Sequence, residues 1–293
     1  MFVVTGATGN TGSVVANALL DAGKQVRAVV RDVSKESAKR LAGRGAELVV
    51  ADLEDADALA RAFRGAEGVY LVSAPDLRTR SFVSDKRKVV AGYATAVREA
   101  NVPHVVLLSS VGAQHDAGTG PIRTLHEAER VLAATGAATT FVRAAYFVEN
   151  WASVLPAAKA DGVLPSFLPH ALSIPMVATS DIGRVAAKAL IDGPRGARAR
   201  RVLELAGPSD PSPDDVAAAV SEILGRTVRV VEAPLDAVVP TFTSFGISED
   251  VASLYREMYQ GILSKTVAFE GAGAELVRGS ETVLATLRPL LAS

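Results

Sequence analysis

The feature that most constrains this chain is the order of elements in its first residues. Phe2–Thr5 is a short apolar, β-branched run that is typical of a buried parallel strand. Gly6, Gly9 and Gly12 follow at three-residue spacing, and the pattern then predicts an amphipathic helix from Ser13. A strand, a glycine turn and a helix in this order point the free amides of a helix N-terminus at a phosphate. The stretch therefore predicts a dinucleotide-binding unit.

The same glycines must be weighed against other glycine-rich patterns. Their spacing differs by one residue from the G-x-G-x-x-G fingerprint, and a plain glycine-rich turn is the structural alternative. The nucleotide-triphosphatase loop G-x-x-x-x-G-K-[ST] is excluded because Ser13 stands where its lysine belongs. We expect cofactor contacts from this turn and the helix start, at Gly6, Thr8, Gly9, Asn10, Thr11 and Gly12.

The end of the second predicted strand, Gln25–Val30, carries the choice between NAD and NADP. An acidic residue there binds the ribose 2′-hydroxyl of NAD, whereas an arginine accommodates the 2′-phosphate of NADP. Arg31 and Asp32 offer both. We favour Arg31 and NADP(H), because Arg31 follows the strand directly and Lys35 lies one helical turn further on. The alternative is that these are ordinary solvated loop charges.

Strands and helices alternate through the first half of the chain, which predicts an α/β, doubly wound parallel sheet of the Rossmann type. The later strands are expected at Glu47–Val50, Gly68–Ser73, His104–Ser110 and Thr139–Arg143. Ligands bind at the carboxyl ends of such strands. The further cofactor contacts expected there are Asp52, Leu53, Ser73, Ala74, Pro75 and Ser109, although Asp52 is equally suited to capping the helix that follows it.

The second half of the chain is expected to form a smaller C-terminal substrate lobe. We place the dinucleotide-binding domain at 1–150 and the lobe at 151–293, with 175–206 returning to the sheet and a capping stretch at Thr179–Asp181. Residues 235–293 are expected to form helices with a loop near Gly271–Gly273. An aromatic segment past the sixth strand supplies the candidate substrate contacts Tyr146, Phe147, Asn150 and Trp151. Core packing is the alternative for each of these rings.

Composition narrows the class of protein. The formal net charge of −1 in 293 residues gives no overall attraction to nucleic acid or to an anionic membrane. The absence of cysteine excludes disulfides, thiolate metal sites and thiol nucleophiles. No apolar run is long enough to span a bilayer, and no leader pattern precedes the first strand. A cytoplasmic protein that acts on a small molecule is the expectation.

Several stretches together resemble the NmrA-like family of atypical short-chain dehydrogenases/reductases. They are Thr5–Gly12, Val30–Arg31, Ser109–Ala113, His126–Glu129 and Arg143–Asn150. The resemblance covers most of the first 190 residues and is loose after Pro208. It implies NAD(P)H binding, and either reduction of quinones, azo dyes or triphenylmethane dyes, or a role as an NADP-binding sensor.

The chain departs from ordinary short-chain reductases at the proton donor. No tyrosine is followed four residues later by lysine, and an alignment on Glu129 places Pro121 and Leu125 at the Tyr and Lys positions. His126 is the one ionisable candidate on that helix, although a packing histidine is the more common case. The sequence H-E-A-E-R that starts at this histidine lacks the second histidine of H-E-x-x-H, so no metal site is expected.

These observations favour an NADPH-dependent reductase that delivers hydride to a quinone-like or conjugated dye-like acceptor. Such an acceptor takes hydride into a delocalised system, so a missing Tyr-x-x-x-Lys dyad is tolerable. The alternative is an NADP-binding redox sensor that acts through a protein partner without turnover.

Overall fold

A computed structural model describes residues 1–74 and 76–292. Its strands are β1 (Phe2–Val4), β2 (Val26–Val30), β3 (Glu47–Val50), β4 (Gly68–Leu71), β5 (His104–Ser110), β6 (Ala138–Ala144), β7 (Tyr146–Phe147), β8 (Val163–Ser166), β9 (Met176–Val177), β10 (Arg200–Ala206), β11 (Arg229–Glu232) and β12 (Glu275–Arg278). Its helices are α1 (Asn10–Asp21), α2 (Glu36–Gly43), α3 (Ala56–Phe63), α4 (Phe82–Glu99), α5 (Arg123–Ala133), α6 (Leu155–Asp161), α7 (Thr179–Asp192), α8 (Pro213–Leu224), α9 (Val238–Ser244), α10 (Glu249–Leu263) and α11 (Val283–Ala292).

The centre of the molecule is an eight-stranded sheet in the order β12-β10-β6-β5-β4-β1-β2-β3, and every neighbouring pair is parallel. The connections run outward from β1 in both directions, so the chain changes direction between β1 and β4. That switch point leaves a crevice at the carboxyl ends of the strands, where ligands bind in folds of this kind. The predicted doubly wound parallel sheet is confirmed.

Apolar side chains cover both faces of the sheet, as expected for parallel strands with helices on each side. Successive residues of a strand point to opposite faces, so Val3 and Val4 enter different cores. One core packs the sheet against α1 and α7, and includes Leu19, Val106 and Ile182. The other packs it against α3, α4 and α5, and includes Leu59, Val97 and Leu132.

The smaller lobe has a core of its own. The pairs β8–β11 and β7–β9 and the helices α6, α8, α10 and α11 enclose a third apolar cluster that includes Trp151, Leu164, Val216, Tyr259 and Leu287. Residues 207–274 of this lobe lie between two strands that are neighbours in the main sheet, β10 and β12. The lobe is therefore anchored to the sheet at both ends of this segment.

The structure corrects four local expectations. Residues 235–293 contain a strand besides helices and the expected loop, because β12 joins the main sheet beside β10. Helix α1 begins at Asn10 rather than Ser13. Asp52 does not cap the following helix; Asp55 accepts the hydrogen bond from the Ala58 amide instead. The start of α7 is capped from outside Thr179–Asp181, by a glutamate described below. Within residues 1–74 and 76–292, no helix is long and apolar enough to cross a bilayer.

Candidate active site

The three glycines of the turn after β1 have different structural roles. Gly6 has a φ of 59°, and a Cβ on Gly12 would lie 2.2 Å from the Gly6 carbonyl oxygen. These two glycines are required by the turn itself. Gly9 has an extended backbone, and a Cβ there would meet only the Gly6 oxygen, at 3.3 Å. A side chain at Gly9 would therefore leave the turn largely intact and occupy the exposed space above it.

The start of α1 is open to an anion. The backbone amides of Asn10, Thr11 and Gly12 have no hydrogen-bond acceptor among the described residues. Gly9 has no side chain with which to cap the helix, and the first turn contains no acidic residue. The positive end of the helix dipole is thus uncompensated at the sheet's switch point, next to half-buried Thr8. The residues present fit a dinucleotide pyrophosphate.

A buried hydrogen-bond network holds α1 against the sheet. The Tyr70 hydroxyl donates to Thr11 Oγ1 at 2.9 Å, and the Thr5 hydroxyl donates to the Tyr70 carbonyl at 3.0 Å. Burial raises the pKa of Tyr70, which keeps the phenol neutral. The Thr11 side chain is therefore committed to the interior, and its amide is the part that remains for a ligand.

The two charged residues that follow β2, Arg31 and Asp32, have different surroundings. The Asp32 carboxylate accepts hydrogen bonds from the Ser34 hydroxyl at 2.6 Å and the Ser34 amide at 2.8 Å, and these bonds lower the pKa of Asp32. Arg31 and Lys35 are both exposed, and neither has an ion-pair partner in the described part of the chain. Two uncommitted cations beside a carboxylate held in its own turn favour an anionic group over a ribose hydroxyl.

The loop after β4 carries two unusual groups. The Ser73 hydroxyl is buried and has no hydrogen-bond partner among the described residues, which suits a polar atom that binds a ligand. The Lys86 ammonium, on α4, donates to the Ala74 carbonyl; Lys86 is 8% exposed, and burial lowers its pKa. Sequence reasoning missed this lysine. The expected contact Pro75 lies outside the described residues.

Two further expected contacts follow β3. The Asp52 carboxylate accepts from the Glu54 amide at 3.0 Å and is exposed, while Leu53 is half-buried against the α3/α4 core. Both residues lie at the carboxyl edge of the sheet.

The end of β5 corrects an expectation about Ser109. Its hydroxyl is buried and donates to Glu129 Oε1 at 2.6 Å. Arg143, at the end of β6, donates to the same carboxylate through Nε at 2.9 Å and Nη2 at 2.8 Å. The Ser109 hydroxyl is therefore bound within the protein interior rather than available to a cofactor. The neighbouring Ser110 is half-buried, and its hydroxyl donates to the Val111 carbonyl.

His126 has an orienting partner that the sequence did not reveal. Its Nδ1 lies 2.9 Å from the Ala113 carbonyl oxygen. A carbonyl can only accept, so Nδ1 carries the proton. The bond fixes the orientation of the ring, and Nε2 is the nitrogen left for other contacts.

The aromatic segment after β6 divides between the core and the crevice. Trp151 is 4% exposed and packs in the lobe's core, while its indole Nε1 has no hydrogen-bond partner among the described residues, so its expected substrate contact stays a prediction. Phe147 is half-buried against the core that includes α1 and α7. Tyr146 is half-buried and Asn150 is exposed. Glu149 caps α7 by accepting from the Thr179 amide and hydroxyl, and so fixes the segment in place.

Helix α10 contacts the loop after β5, an arrangement that the sequence analysis did not assign. The amide of Gly118, in the loop after β5, donates to Glu257 Oε1 at 3.0 Å, which joins the loop to α10. On another face of α10, Tyr259 lies 5.4 Å from Phe167 between ring centroids. The tyrosines at 255 and 259 share a helical face by their four-residue spacing, which was the available signal.

Two further features lie outside this constellation. A surface groove of about 930 Å³ runs beside α8 and β11, away from the carboxyl ends of the main strands; its lining includes His170, Asp214, Ser221 and Arg226. The described residues contain no cluster of three or more His, Cys, Asp or Glu side chains that could hold a metal ion.

The parallel sheet, its switch point, the glycine turn and the open start of α1 together define a Rossmann-type dinucleotide-binding fold. Residues 1–279 match the NmrA-like family, and the chain belongs to that family.

Relatives of known activity match most of the chain. It is 30% identical to an NAD(P)H azoreductase of Xenophilus azovorans over 88% of this chain and 86% of the relative. It is 33% identical to a (4-alkanoyl-5-oxo-2,5-dihydrofuran-3-yl)methyl phosphate reductase of Streptomyces griseus, over 81% and 78% of the two chains. The fold resembles the NADPH-dependent quinone oxidoreductase QOR2 of Escherichia coli in complex with NADPH, with a TM-score of 0.80, 24% identity and 99% coverage of both chains.

Proposed function

We propose that this protein is an NADPH-dependent reductase of quinone-like or conjugated dye-like acceptors. The observation that carries the proposal is the pair of uncommitted cations, Arg31 and Lys35, at the end of β2 beside the open start of α1. The relatives support it, since they include an NAD(P)H azoreductase and a quinone oxidoreductase of Escherichia coli, 29% identical over 78% of this chain.

Each group of the crevice has a role in this proposal. The amides of Asn10, Thr11 and Gly12 bind the pyrophosphate, and Arg31 and Lys35 bind the 2′-phosphate. The Ser73 hydroxyl and the loop after β4 hold the neighbouring part of the cofactor. NADPH, when bound, supplies the hydride; the protein binds, orients and shields the two reactants.

Acceptor binding falls to the opposite side of the crevice, between the end of β6 and α10. Of the expected acceptor contacts, Asn150 is exposed, and Tyr146 and Phe147 are half-buried. A conjugated acceptor delocalises the electron pair it receives, so Pro121 and Leu125 at the positions of the usual dyad do not prevent the reaction.

Substitution of Arg31 tests the cofactor assignment. Loss of one charge-assisted phosphate contact costs about 1.5–3 kcal/mol, or roughly ten- to a hundredfold in affinity. Arg31→Ala should therefore weaken NADPH binding by that factor and leave NADH nearly unchanged, as measured by calorimetry. Arg44→Ala is the matched control, because Arg44 is already paired with Asp21. Equal losses for both cofactors, or a wild-type preference for NADH, would transfer the role to Asp32.

A second candidate function is an NADP-binding sensor that acts through a protein partner. The observation in its favour is the absence of the Tyr-x-x-x-Lys dyad. Stopped-flow mixing of the NADPH-loaded protein with a panel of quinones, azo dyes and triphenylmethane dyes separates the two. Oxidation of bound NADPH above the buffer rate supports the reductase. No oxidation by any member of the panel would leave the sensor as the function.

A further inference from the structure

The loop after β4 is held by helix α10 of the smaller lobe. The Ser248 amide donates to the Leu77 carbonyl at 2.9 Å, and the Ser248 hydroxyl donates to the Thr79 carbonyl. The Asp250 carboxylate accepts from the Phe82 amide at 3.0 Å, across 168 positions of the sequence. The start of α10 is therefore joined to a loop of the dinucleotide-binding domain.

Apolar packing accompanies these hydrogen bonds. Phe82, Val251 and Leu254 form a small buried cluster, and the half-buried side chains of Leu77 and Ile247 pack against it. Phe82 is 4% exposed, so its amide meets the carboxylate beside an apolar contact. A hydrogen bond to an ionised acceptor is stronger in such surroundings than in water.

The start of α4 depends on Asp250. The first amides of a helix have no partner within the helix. Ser81, the residue before α4, makes no side-chain capping bond, and Asp250 supplies an acceptor from the other lobe. The negative charge of Asp250 also lies at the positive ends of two helices, α4 and α10. The smaller lobe therefore helps to set the position of the first turn of α4.

The first turns of α4 reach the cofactor side of the loop. Phe82 and Lys86 share a helical face, and the Lys86 ammonium lies 5.3 Å from the centroid of the Phe82 ring. The same ammonium donates to the carbonyl of Ala74, which follows Ser73. Three successive contacts thus lead from Asp250 through Phe82 and Lys86 to Ala74.

The other end of the loop is fixed to the glycine turn. The Val72 amide donates to Thr5 Oγ1 at 3.1 Å, and the Tyr93 hydroxyl donates to the Val72 carbonyl at 2.8 Å. A Cβ on Gly6 would lie 2.5 Å from Val72 Cγ1, so the two segments are in contact. The loop after β4 therefore runs from the glycine turn to the start of α10.

We propose that Ser248 and Asp250 are positioning residues for the cofactor, which act through the loop after β4 rather than by contact with a reactant. The inference rests on the proposed function, in which that loop holds part of NADPH. A loop fixed before the cofactor binds spends less binding energy on ordering. A loop released from α10 is competent for only part of the time, and the apparent affinity falls by that fraction.

Calorimetry with NADPH and NADH tests this role. A hydrogen bond to a charged group contributes roughly ten- to a hundredfold to an equilibrium constant. Both Ser248 bonds remain in Asp250→Ala, so this variant should bind each cofactor about tenfold more weakly. The losses should be equal because β1 separates β4 from β2, the strand that leads to Arg31. Substitution of Arg31, in contrast, is expected to affect NADPH selectively.

Two further variants separate the hydrogen bond from the charge. Asp250→Asn keeps an acceptor oxygen and should recover most of the affinity. Glu249→Ala is the matched control and should bind as the wild type does: it removes the other acidic residue of the same helical turn, and Glu249 has no hydrogen bond or ion pair among the described residues.

A double-mutant cycle tests the path through Lys86. Lys86→Met breaks the last contact of that path and should by itself weaken NADPH binding about tenfold. If Asp250 acts through Lys86, the double variant Asp250→Ala/Lys86→Met should also lose only about tenfold. Independent effects would multiply to about a hundredfold.

A readout without turnover distinguishes positioning from general destabilisation. By thermodynamic reciprocity, NADPH must stabilise the contact that strengthens its own binding. Amide hydrogen exchange in the first turns of α10 should therefore slow when NADPH saturates the wild type, and should not change when it saturates Asp250→Ala. Equal slowing in both proteins would contradict the proposal.

The outcomes separate this inference from the proposed function. A wild type that binds no NADPH refutes both. A wild type that binds NADPH and reduces 1,4-naphthoquinone, with Asp250→Ala within twofold of its affinity, refutes only the positioning role. Equal losses in Asp250→Ala and Glu249→Ala, or a hundredfold loss in the double variant, would also overturn it. Should Asp250→Ala fail to fold, Ser248→Ala replaces it: loss of the bond to Thr79 should weaken both cofactors about threefold, and unchanged affinities would refute the role.

Discussion

The buried carboxylate of Glu129 gives the sharpest prediction for stability. Glu129 is 4% exposed and accepts four hydrogen bonds, from the Ser109 hydroxyl, from Arg143 Nε and Nη2, and from Arg200 Nη2 at 3.2 Å. It joins α5 to the carboxyl ends of β5 and β6 and to β10. Glu129→Ala would leave Arg143, which is 2% exposed, with only the more accessible Glu270 as a partner.

The expected loss follows from that isolation. Removing one partner of a buried ion pair costs about 3–5 kcal/mol, because the remaining charge stays desolvated. Urea unfolding followed by circular dichroism measures it. With an m-value of about 3 kcal/mol per molar, at the upper end of the usual range, the midpoint should fall by roughly 1–2 M. Glu127→Ala is the control on the same helix, since the Arg87–Glu127 pair is more exposed and is worth at most about 1 kcal/mol.

A double substitution separates desolvation from the value of the pair. Replacing Glu129 and Arg143 together by methionine removes both buried charges and should restore much of the lost stability, because the charges that lose a partner, Arg200 and Glu270, are solvent-exposed. A loss below about 1 kcal/mol in Glu129→Ala would refute the reasoning. A double variant less stable than the single one would also refute it, because the pair would then be strongly stabilising in itself.

Three further predictions concern the glycine turn, a buried histidine and a buried lysine. Gly9→Val should abolish NADPH binding, as measured by calorimetry, and leave the melting temperature unchanged, whereas Gly12→Ala should lower the melting temperature. An unchanged NADPH affinity in Gly9→Val would refute the assignment of the phosphate site. Burial lowers the pKa of His104 from 6.5 to about 4, so stability should be lost as pH falls from about 6.5 to 4, by at most about 3 kcal/mol. His104→Gln should reduce the dependence of stability on pH. Parallel stability profiles of the wild type and this variant would contradict the role of His104. Lys86→Met frees the carbonyl of the β4 loop and should weaken NADPH binding about tenfold without changing kcat; equal affinities would remove the lysine from the site.

The dinucleotide half of the fold was predictable because its signals are local. Each strand–turn–helix unit displays its own hydrophobic periodicity, and the turn glycines are contiguous with β1. The helix starts were less certain, since Asp52 and Asp55 can both cap. The packing of Leu59 and Phe63 against the sheet selects the later start.

The error at Ser109 could have been avoided by strict use of the strand period. Leu107 and Ser109 share a face, and Leu107 lies in the core beneath α5. The strand period therefore predicts that the Ser109 side chain points toward α5. The sequence did not show that Glu129 lies on the buried face of α5, because a glutamate on an amphipathic helix usually faces solvent.

The remaining parts of the site depend on contacts between distant segments. Strand β12 has two apolar residues among its four, Leu276 and Val277, and it pairs with β10 at the edge of the main sheet. The contact of Lys86 with the loop after β4 leaves no periodic pattern in the sequence. Such contacts follow from the tertiary arrangement of whole elements.

The attachment of the smaller lobe has a consequence for how an acceptor binds. The chain leaves the main sheet after β6 and after β10, and re-enters it at β10 and at β12. A lobe joined to the sheet by several separate crossings has no single hinge. On the proposed function, we therefore expect acceptor binding to need little rigid-body closure of the lobe, so that little binding energy is spent on closure.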